Sequence, residues 1–304
     1  MARELIRRGS SKNIYKAGKN SILFEATNYY SVFDVGRSPD TIPGKAKAII
    51  ACAVKSFQIA DAIGVPTHFI EQVDDVTIRV REAQIITNRS LTEKDENYVV
   101  PAEFIYRLFV AGSIYRDFRS GEKKPEHYGL PAGKIPRVGT PFPYPMHMLT
   151  TKFEHVDRDI TTQEVCGMAG ITLNDLAEFW SMIDRLTGAT GLKMDEAGYE
   201  LLDGKLECII GPEREKMIGD VFCTPDEDRL CLIGKLKDGI VEHYSKECIR
   251  QIFIENGYKE ILQTARDKGD LDPPIPHLNE EQIEEISRRY IAVAEAYSGQ
   301  KIYI

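Results

Sequence analysis

The chain has 304 residues, of which 42% are hydrophobic and 28% are charged, so it can bury a sizeable core as an ordinary globular protein. Its formal net charge of −8 provides no basic excess, which disfavours a long nucleic acid as partner but leaves small phosphorylated molecules open. No apolar stretch approaches the length of a membrane span, and we expect no secretory signal. The six cysteines form no Cys-x-x-Cys pair, so we expect buried thiols in a reducing cytoplasm rather than disulfides or a zinc site.

The first hundred residues are predicted to form short strands around one helix. Residues 21–25 and 76–81 are alternating or β-branched, which is typical of strands. Apolar residues at helical spacing predict a helix over residues 47–63, and the glycine and proline that follow would end it. The polar residues 87–96 predict an inserted loop.

The second half begins with an irregular stretch and continues in helices. Residues 121–145 are dense in glycine and proline, so we expect a long ordered loop without regular structure. Thr172, Ser245 and Asn279 each precede a stripe of apolar residues and are the predicted N-caps of three helices, the first of which should run to about Thr190. We expect these apolar stripes to pack in the core.

Residues 201–207 and 217–220 are two apolar runs that carry carboxylates. Acidic residues rarely occur in such runs unless they are paired or bind a metal. If the runs form a hairpin, Glu207 and Asp220 lie side by side, and two such ligands with open positions suit Mg²⁺ bound to phosphates. Lys205 would share the face of Glu207, where an ammonium suits a phosphoryl group in transfer. A hairpin whose acids face solvent remains an open alternative.

Two further segments are ambiguous when their residues are considered alone. Residues 99–113 form an apolar run that is interrupted by Glu103 and Arg107 and ends in Ala-Gly-Ser. Arg107 is then best interpreted as a structural partner of Glu103, four residues earlier. Residues 9–12 offer backbone N–H groups, two hydroxyls and one ammonium that suit phosphate oxygens, but an ordinary turn is the default interpretation.

Taken together, these segments resemble the SAICAR synthetase family, the phosphoribosylaminoimidazole-succinocarboxamide synthases. That family carries a Pro-x-Glu-x-x-x-Arg-x-x-x-Ala-Gly-Ser segment followed by an Asp-x-Lys-x-Glu segment, as residues 101–113 and 203–207 do here. Five more segments match in the family's order: Gly9-Ser10-Ser11-Lys12-Asn13-Ile14-Tyr15, Ile42-Pro43-Gly44-Lys45, Pro66-Thr67-His68-Phe69, Thr150-Thr151-Lys152-Phe153-Glu154 and Thr224-Pro225-Asp226-Glu227-Asp228-Arg229.

The resemblance implies an α+β fold of two lobes. Residues 1–86 would form an N-terminal lobe around an antiparallel sheet, and residues 87–304 a larger α/β lobe with the metal and substrate site. ATP would bind in the cleft between the lobes, with its adenine at a hinge near residues 81–85.

The activity that the resemblance implies is an ATP-dependent ligation. The carboxylate of carboxyaminoimidazole ribotide would be phosphorylated to an acyl phosphate, and the amine of L-aspartate would then displace phosphate to form an amide. Mg²⁺ would bind Glu207 and Asp220, while Lys12 and Lys205 would neutralise charge on the transferred group. No nucleic acid or membrane is an expected partner; a homo-oligomer remains open.

The binding residues are also carried over from the family's segments. ATP would contact Gly9, Ser10, Ser11 and Lys12 of the phosphate loop, and Arg81 near the hinge. The substrate-binding positions are the following: Arg107, Ser113, Lys152, Glu154, Asp226 and Arg229. Among them, Arg107, Ser113 and Arg229 would bind the ribotide phosphate.

The sequence departs from the family at several positions. Ser10 stands where the family usually has a lysine, so Lys12 is the one lysine in the loop, unless Lys45 substitutes. Asp228 stands where a serine precedes the arginine, which is unfavourable unless its carboxylate turns away. These departures leave two alternatives open: a paralogue that joins a different heterocyclic carboxylate and amine, and a nucleotide-binding protein without catalysis.

Overall fold

The computed structural model describes residues 3–154 and 157–304. The N-terminal part contains an antiparallel sheet in the order β1-β2-β3-β5-β4, formed by β1 (Leu5–Arg8), β2 (Lys12–Lys16), β3 (Ser21–Ala26), β4 (Phe69–Asp74) and β5 (Thr77–Arg81). The predicted helix is confirmed as α1 (Lys45–Ala62), which begins two residues earlier than expected. Most of its alanines and isoleucines are buried and form part of the main core together with β3 and β5.

A second antiparallel sheet has the order β10-β8-β6-β7, and β9 pairs with β8 beside it. Its strands are β6 (Tyr98–Phe109), β7 (Pro141–Thr151), β8 (Tyr199–Ile210), β9 (Lys216–Gly219) and β10 (Asp228–Leu232). The predicted hairpin is confirmed, because β8 and β9 pair in a register that places Glu207 opposite Gly219. Asp220 therefore follows directly at the end of β9.

The expectation that residues 121–145 lack regular structure is wrong at its C-terminal end. β7 begins at Pro141 and continues through Pro143 and Pro145, and a 3₁₀ turn occupies Pro125–Tyr128. Among the strands of the described residues β7 pairs with β6 alone, and its prolines lie away from the bridge between Thr150 and Asp159, so they need not donate to a second strand. A shift in register near Arg107 further accommodates them.

In the part of the chain that the structure describes, seven more α-helices complete the fold: α2 (Gly112–Ser120), α3 (Thr162–Ala169), α4 (Leu173–Glu196), α5 (Ile233–Lys237), α6 (Glu247–Glu255), α7 (Tyr258–Lys268) and α8 (Glu280–Ser298). Thr172 and Asn279 form the predicted capping boxes of α4 and α8, although α4 extends past Thr190. Ser245 is not an N-cap: Lys246 occupies that position, and the buried Ser245 hydroxyl has no partner.

The predicted α+β fold with an antiparallel N-terminal sheet is confirmed, and the structure shows that the second sheet is antiparallel as well. α4 packs against β8, and α8 returns to pack against α1. Lys45 of α1, Asp226 before β10 and Tyr290 of α8 form one buried cluster. The boundary at residue 86, between β5 and β6, stays a prediction. Within residues 3–154 and 157–304, no helix is long and apolar enough to cross a membrane.

Candidate active site

The β8–β9 hairpin brings two mostly buried carboxylates together. Glu207 lies on β8, and Asp220 follows β9 in a left-handed conformation with φ of 53°. The Lys12 ammonium binds Asp220 Oδ1, and the Lys152 ammonium binds Glu207 Oε1. The predicted side-by-side placement of Glu207 and Asp220 is thus observed, with one lysine on each carboxylate.

The pKa values of the two carboxylates are shifted in opposite directions. Burial raises the pKa of Glu207 and outweighs the attraction of Lys152, and the Asp220 charge adds to this rise. For Asp220, burial acts in the same direction but is outweighed by Lys12, so its pKa lies below the usual range. His68 is buried, and burial lowers its pKa to about 4, so a neutral ring contacts the Asp220 carbonyl at 3.2 Å.

These two carboxylates fit a magnesium ion whose other ligands come from waters and from a bound phosphate. No group of three or more His, Cys, Asp or Glu side chains within residues 3–154 and 157–304 could hold a metal alone. Mg²⁺ prefers six oxygen ligands and commonly takes only one or two from protein carboxylates, with waters and phosphates supplying the rest. Glu207 and Asp220 match that ligand set.

Lys205 lies on β8 between the carboxylate pair and the rest of the cleft. Its Nζ donates to Glu103 Oε1 at 2.9 Å and lies 3.7 Å from Glu227 Oε2. Burial lowers the pKa of Lys205, but the charges of Glu227 and Glu103 outweigh burial and raise it, so the side chain stays an ammonium. Since the lysines Lys205 and Lys152 neighbour Glu103, the interpretation of Arg107 as the partner of Glu103 is wrong.

Arg107 and Arg229 instead share Asp203, a buried carboxylate on β8. The Arg107 Nη1–Asp203 Oδ2 distance is 2.6 Å, and the Arg229 Nη1–Asp203 Oδ2 distance is 2.8 Å. Arg107 also donates to the Ser113 hydroxyl at 2.8 Å, and Arg229 to Glu247 at 3.1 Å. The three predicted phosphate-binding residues therefore meet at one cavity of about 490 Å³. Sequence reasoning missed Asp203, although its alternation with Lys205 and Glu207 was a usable signal.

The loop at residues 9–12 is a tight turn fixed by its neighbours. The Gly9 N–H donates to the Lys12 carbonyl at 2.9 Å, and a Cβ at Gly9 would lie 2.7 Å from that oxygen, so glycine is required. The Thr27 N–H donates to the Ser11 carbonyl at 2.8 Å. Arg37, which the sequence did not single out, donates to the Gly9 carbonyl at 3.1 Å. Ser10 and Lys12 therefore project from a held backbone.

Lys45 is not free to replace the lysine that is missing at Ser10. It is fully buried, and its Nζ binds Asp226 Oδ2 at 2.6 Å. The other Asp226 oxygen accepts from the Tyr290 hydroxyl at 2.9 Å. Both charges are matched inside the protein.

Arg81 lines a separate cavity of about 280 Å³ at the end of β5, near the predicted hinge. Its guanidinium contacts the sulfur of Met217 at 3.8 Å, and Ile209 and His68 complete an apolar wall. Glu154, by contrast, is exposed and pairs with Arg158 at 3.2 Å. It lines neither of the two cavities.

Asp228 borders the same cavity, but hydrogen bonds hold its carboxylate on the opposite face of the sheet from Arg229. Asp228 Oδ1 accepts from the Tyr106 hydroxyl at 2.5 Å, and Oδ2 accepts from the Thr224 N–H at 2.9 Å. Both oxygens lie on the core side of the sheet, since Asp228, Gly204 and Tyr106 form one row across β10, β8 and β6. The expected conflict with Arg229 is thereby avoided.

Five cations at this cavity were missed from the sequence: Arg116 of α2, Lys246 and Arg250 at α6, and Lys259 and Arg266 of α7. Of these helices only α6 was predicted, from an apolar stripe expected to pack in the core, and the polar residues between its apolar positions gave no sign of facing a cleft.

The fold and the cleft define an α+β protein in which lysines and arginines surround a pair of neighbouring carboxylates. A family model described as SAICAR synthetase matches residues 5–265. Phosphoribosylaminoimidazole-succinocarboxamide synthases from Thermoplasma volcanium and Thermoplasma acidophilum are each 33% identical over 298 residues, which is 98% of this chain and 99% of theirs. The chain belongs to the SAICAR synthetase family.

Solved structures of the same fold agree with this assignment. The SAICAR synthase from Saccharomyces cerevisiae, complexed with SAICAR, superposes with a TM-score of 0.74 at 19% identity, covering 99% of this chain and 97% of that one. A SAICAR synthetase in complex with ADP gives 0.69 at 18% identity, covering 99% and 100%.

Proposed function

We propose that this chain is an ATP-dependent carbon–nitrogen ligase of purine biosynthesis that acts in the cytoplasm. It joins the carboxylate of carboxyaminoimidazole ribotide to the amine of L-aspartate and releases ADP and phosphate. The observation that carries the proposal is the connection between the carboxylate pair and the arginine cavity. Lys12 and Lys152 bind Asp220 and Glu207, Lys152 and Lys205 both neighbour Glu103, and Lys205 lines the cavity that Arg107, Ser113 and Arg229 also line. A related protein with bound SAICAR and another with ADP support it.

The reaction would proceed in two displacements. A carboxylate oxygen of the ribotide attacks the γ-phosphorus of ATP, which gives an acyl phosphate and ADP. The amine nitrogen of aspartate then attacks the acyl carbon, the C–O bond to phosphate breaks, and the nitrogen loses a proton to form the amide. No covalent bond to a protein nucleophile is required.

The nucleotide would lie across both sheets. The backbone of Gly9 and the hydroxyls of Ser10 and Ser11 would donate to phosphate oxygens, and Lys12 would supply the positive charge. The apolar cavity beside Arg81 would hold the adenine. These assignments place the cleft between lobes of residues 1–86 and 87–304, which we propose as the domain division.

Glu207 and Asp220 would hold Mg²⁺, which would supply charge neutralisation and alignment of the phosphate groups. Lys12 and Lys152 already contact these carboxylates, so their ammonium groups are within reach of any phosphoryl group placed there. Lys205 is fixed by Glu103 and would stabilise the same group as it is transferred.

The ribotide phosphate would bind Arg107, Ser113 and Arg229, whose positions around Asp203 leave donors facing the cavity. Lys152 would contact the substrate carboxylate. Asp226 would act mainly by fixing the turn before Arg229, because both of its oxygens have buried partners. Glu154 would act only at the rim, since its side chain is exposed.

The direct test measures ADP formation by the purified chain with ATP, Mg²⁺ and the ribotide, with and without L-aspartate. We expect amide formation that needs aspartate. Amide formation with another amino acid in its place would favour the paralogue, and absence of ADP release under every condition would favour a non-catalytic nucleotide-binding protein.

A variant of the carboxylate pair tests the chemistry of the cleft. Asp220→Asn should reduce amide formation by about 10²-fold or more, since it removes a charged ligand from the proposed metal site. Circular dichroism and thermal unfolding should show that the fold persists. Near-parental rates at saturating Mg²⁺ would contradict the role of Asp220.

A further inference from the structure

Several cations that line the 490 Å³ cavity have no role in the mechanism above, and two of them are Lys259 and Arg116. Lys259 comes from α7 and Arg116 from α2. Three neighbouring cations are matched: Arg229 and Arg250 share Glu247 at 3.1 and 3.3 Å, and Arg266 pairs with Asp272 at 2.7 Å. Lys246 also lines the cavity and is attracted by the charges of Glu227 and Asp226. Among residues 3–154 and 157–304, Lys259 and Arg116 have no carboxylate within ion-pair distance.

The two unmatched cations face a common space. Burial lowers the pKa of Lys259, and the charge of Arg116 lowers it further, as do Arg250 and Arg229. Glu247 is the main opposing charge, but its carboxylate is already shared by two arginines. Like charges gathered without a matching anion are unfavourable, so a bound anion would relieve their repulsion.

The surrounding wall holds Lys259 in place. Arg266 donates to the Phe33 carbonyl at 2.9 Å, and the Lys259 ammonium lies 5.5 Å from the centre of the Phe33 ring. Phe33 and Asp34 are consecutive non-glycine residues in the left-handed region, with φ of 51° and 59°. Such conformations persist where surrounding contacts enforce them, and they concentrate at functional sites. Both residues line the same cavity.

We propose that Lys259 and Arg116 form an anion subsite that binds a carboxylate or phosphate group of a substrate. The identity of that substrate rests on the proposed function, which offers two sources: the carboxylates of L-aspartate and the ribotide phosphate. Aspartate is the favoured source, because Arg107, Ser113 and Arg229 already offer a separate set of donors for phosphate.

Steady-state kinetics of the full chain with Mg²⁺ test the subsite. Lys259→Met and Arg116→Met should each raise the KM of one anionic substrate by roughly 10- to 100-fold, the range for losing a hydrogen bond to a charged group. The KM of ATP should stay near the parental value. A raised KM for aspartate identifies a carboxylate as the group bound at the subsite, and a raised KM for the ribotide identifies its phosphate.

Matched controls are available on the same helices. Lys268→Met on α7 and Arg119→Met on α2 remove exposed cations that do not line the cavity. These two control variants should leave the KM of aspartate and the KM of the ribotide unchanged. If Lys259→Met and Arg116→Met behave like these controls, the subsite is overturned.

A binding experiment separates this inference from the proposed function. Calorimetric titration with succinate and with inorganic phosphate needs no turnover, so it remains informative even if the parent makes no amide. We expect the parent to bind at least one probe and Lys259→Met to bind it at least about tenfold more weakly. A parent that binds neither probe, or equal binding by parent and variant, would overturn the subsite.

Discussion

At the scale of single residues, the properties of the cleft depend on which oppositely charged side chain each charged residue contacts. Lys12 is the clearest case, because its ammonium contacts Asp220 and projects from the loop at residues 9–12. The same Nζ lies 4.6 Å from the centre of the Phe24 ring, which limits where it can move. Ser10, at the position of the missing lysine, adds a hydroxyl but no charge.

Replacing Lys12 by methionine tests the loop. Lys12→Met should lower amide formation by roughly 10²- to 10³-fold, because a charge-stabilising donor is lost from the transferred group. Rates and nucleotide titrations should be compared with Lys16→Met, which removes an exposed lysine at the other end of β2. If Lys12→Met turns over ATP like the parent, the loop at residues 9–12 is an ordinary turn.

Asp228 gives a pH-dependent prediction. Burial raises its pKa from 3.8 to about 7, although hydrogen bonds from Tyr106 and Thr224 favour the charged form. The native state therefore binds a proton that the unfolded chain releases between about pH 4 and 7. The free energy of unfolding should fall as the pH rises through this window, by at most about 4 kcal/mol from this group.

Urea unfolding of parent and Asp228→Asn between pH 5 and 8 measures this contribution. The variant cannot release that proton, so its unfolding free energy should decline less steeply with pH. A constant loss from one broken hydrogen bond is expected at every pH and does not affect the slope. Asp238→Asn, at an exposed position, is the control. Equal slopes for parent and Asp228→Asn would refute the raised pKa.

At the scale of elements, the second sheet positions charges through its register. The row Arg107, Asp203 and Arg229 crosses β6, β8 and β10 on the cleft face. The adjacent row contains Tyr106, Gly204 and Asp228 and faces the core. Gly204 is needed because a Cβ there would lie 1.8 Å from Asp228 Oδ1.

Gly204→Ala should therefore destabilise the protein by about 1–3 kcal/mol through overpacking. Combining it with Asp228→Ser should recover part of that loss, so the two changes should be non-additive in urea unfolding. Gly188→Ala in α4, where a Cβ meets nothing within 4 Å, should be neutral or slightly stabilising. Strict additivity of Gly204→Ala and Asp228→Ser would argue against the steric account.

At the scale of the whole molecule, one buried ion pair connects distant parts of the chain. Lys45 of α1 binds Asp226 before β10, and Tyr290 of α8 binds the same carboxylate. The C-terminal helix is thereby joined to the N-terminal sheet region through the cleft. We expect a single cooperative unfolding transition.

Lys45→Met tests this connection. Leaving Asp226 buried without its cation should cost about 3–5 kcal/mol. Lys45→Met with Asp226→Asn should be less destabilised than Lys45→Met alone, because no uncompensated charge remains. Calorimetry of these proteins should be compared with Lys55→Met on the same helix. If Lys45→Met lowers the unfolding free energy less than Lys55→Met does, the Lys45–Asp226 pair contributes little to stability.

The sequence by itself determined the local features: the family segments, the hairpin with Glu207 and Asp220, and the capping boxes of α4 and α8. These follow from patterns within a few residues, since alternation fixes strand faces and capping needs only a nearby acid or amide. Only the tertiary structure decided which charges meet. Asp203 rather than Glu103 as the partner of Arg107, the inward turn of Asp228, the edge position of β7 and the placement of α7 at the cleft all depend on strand register and helix packing between residues far apart in the chain.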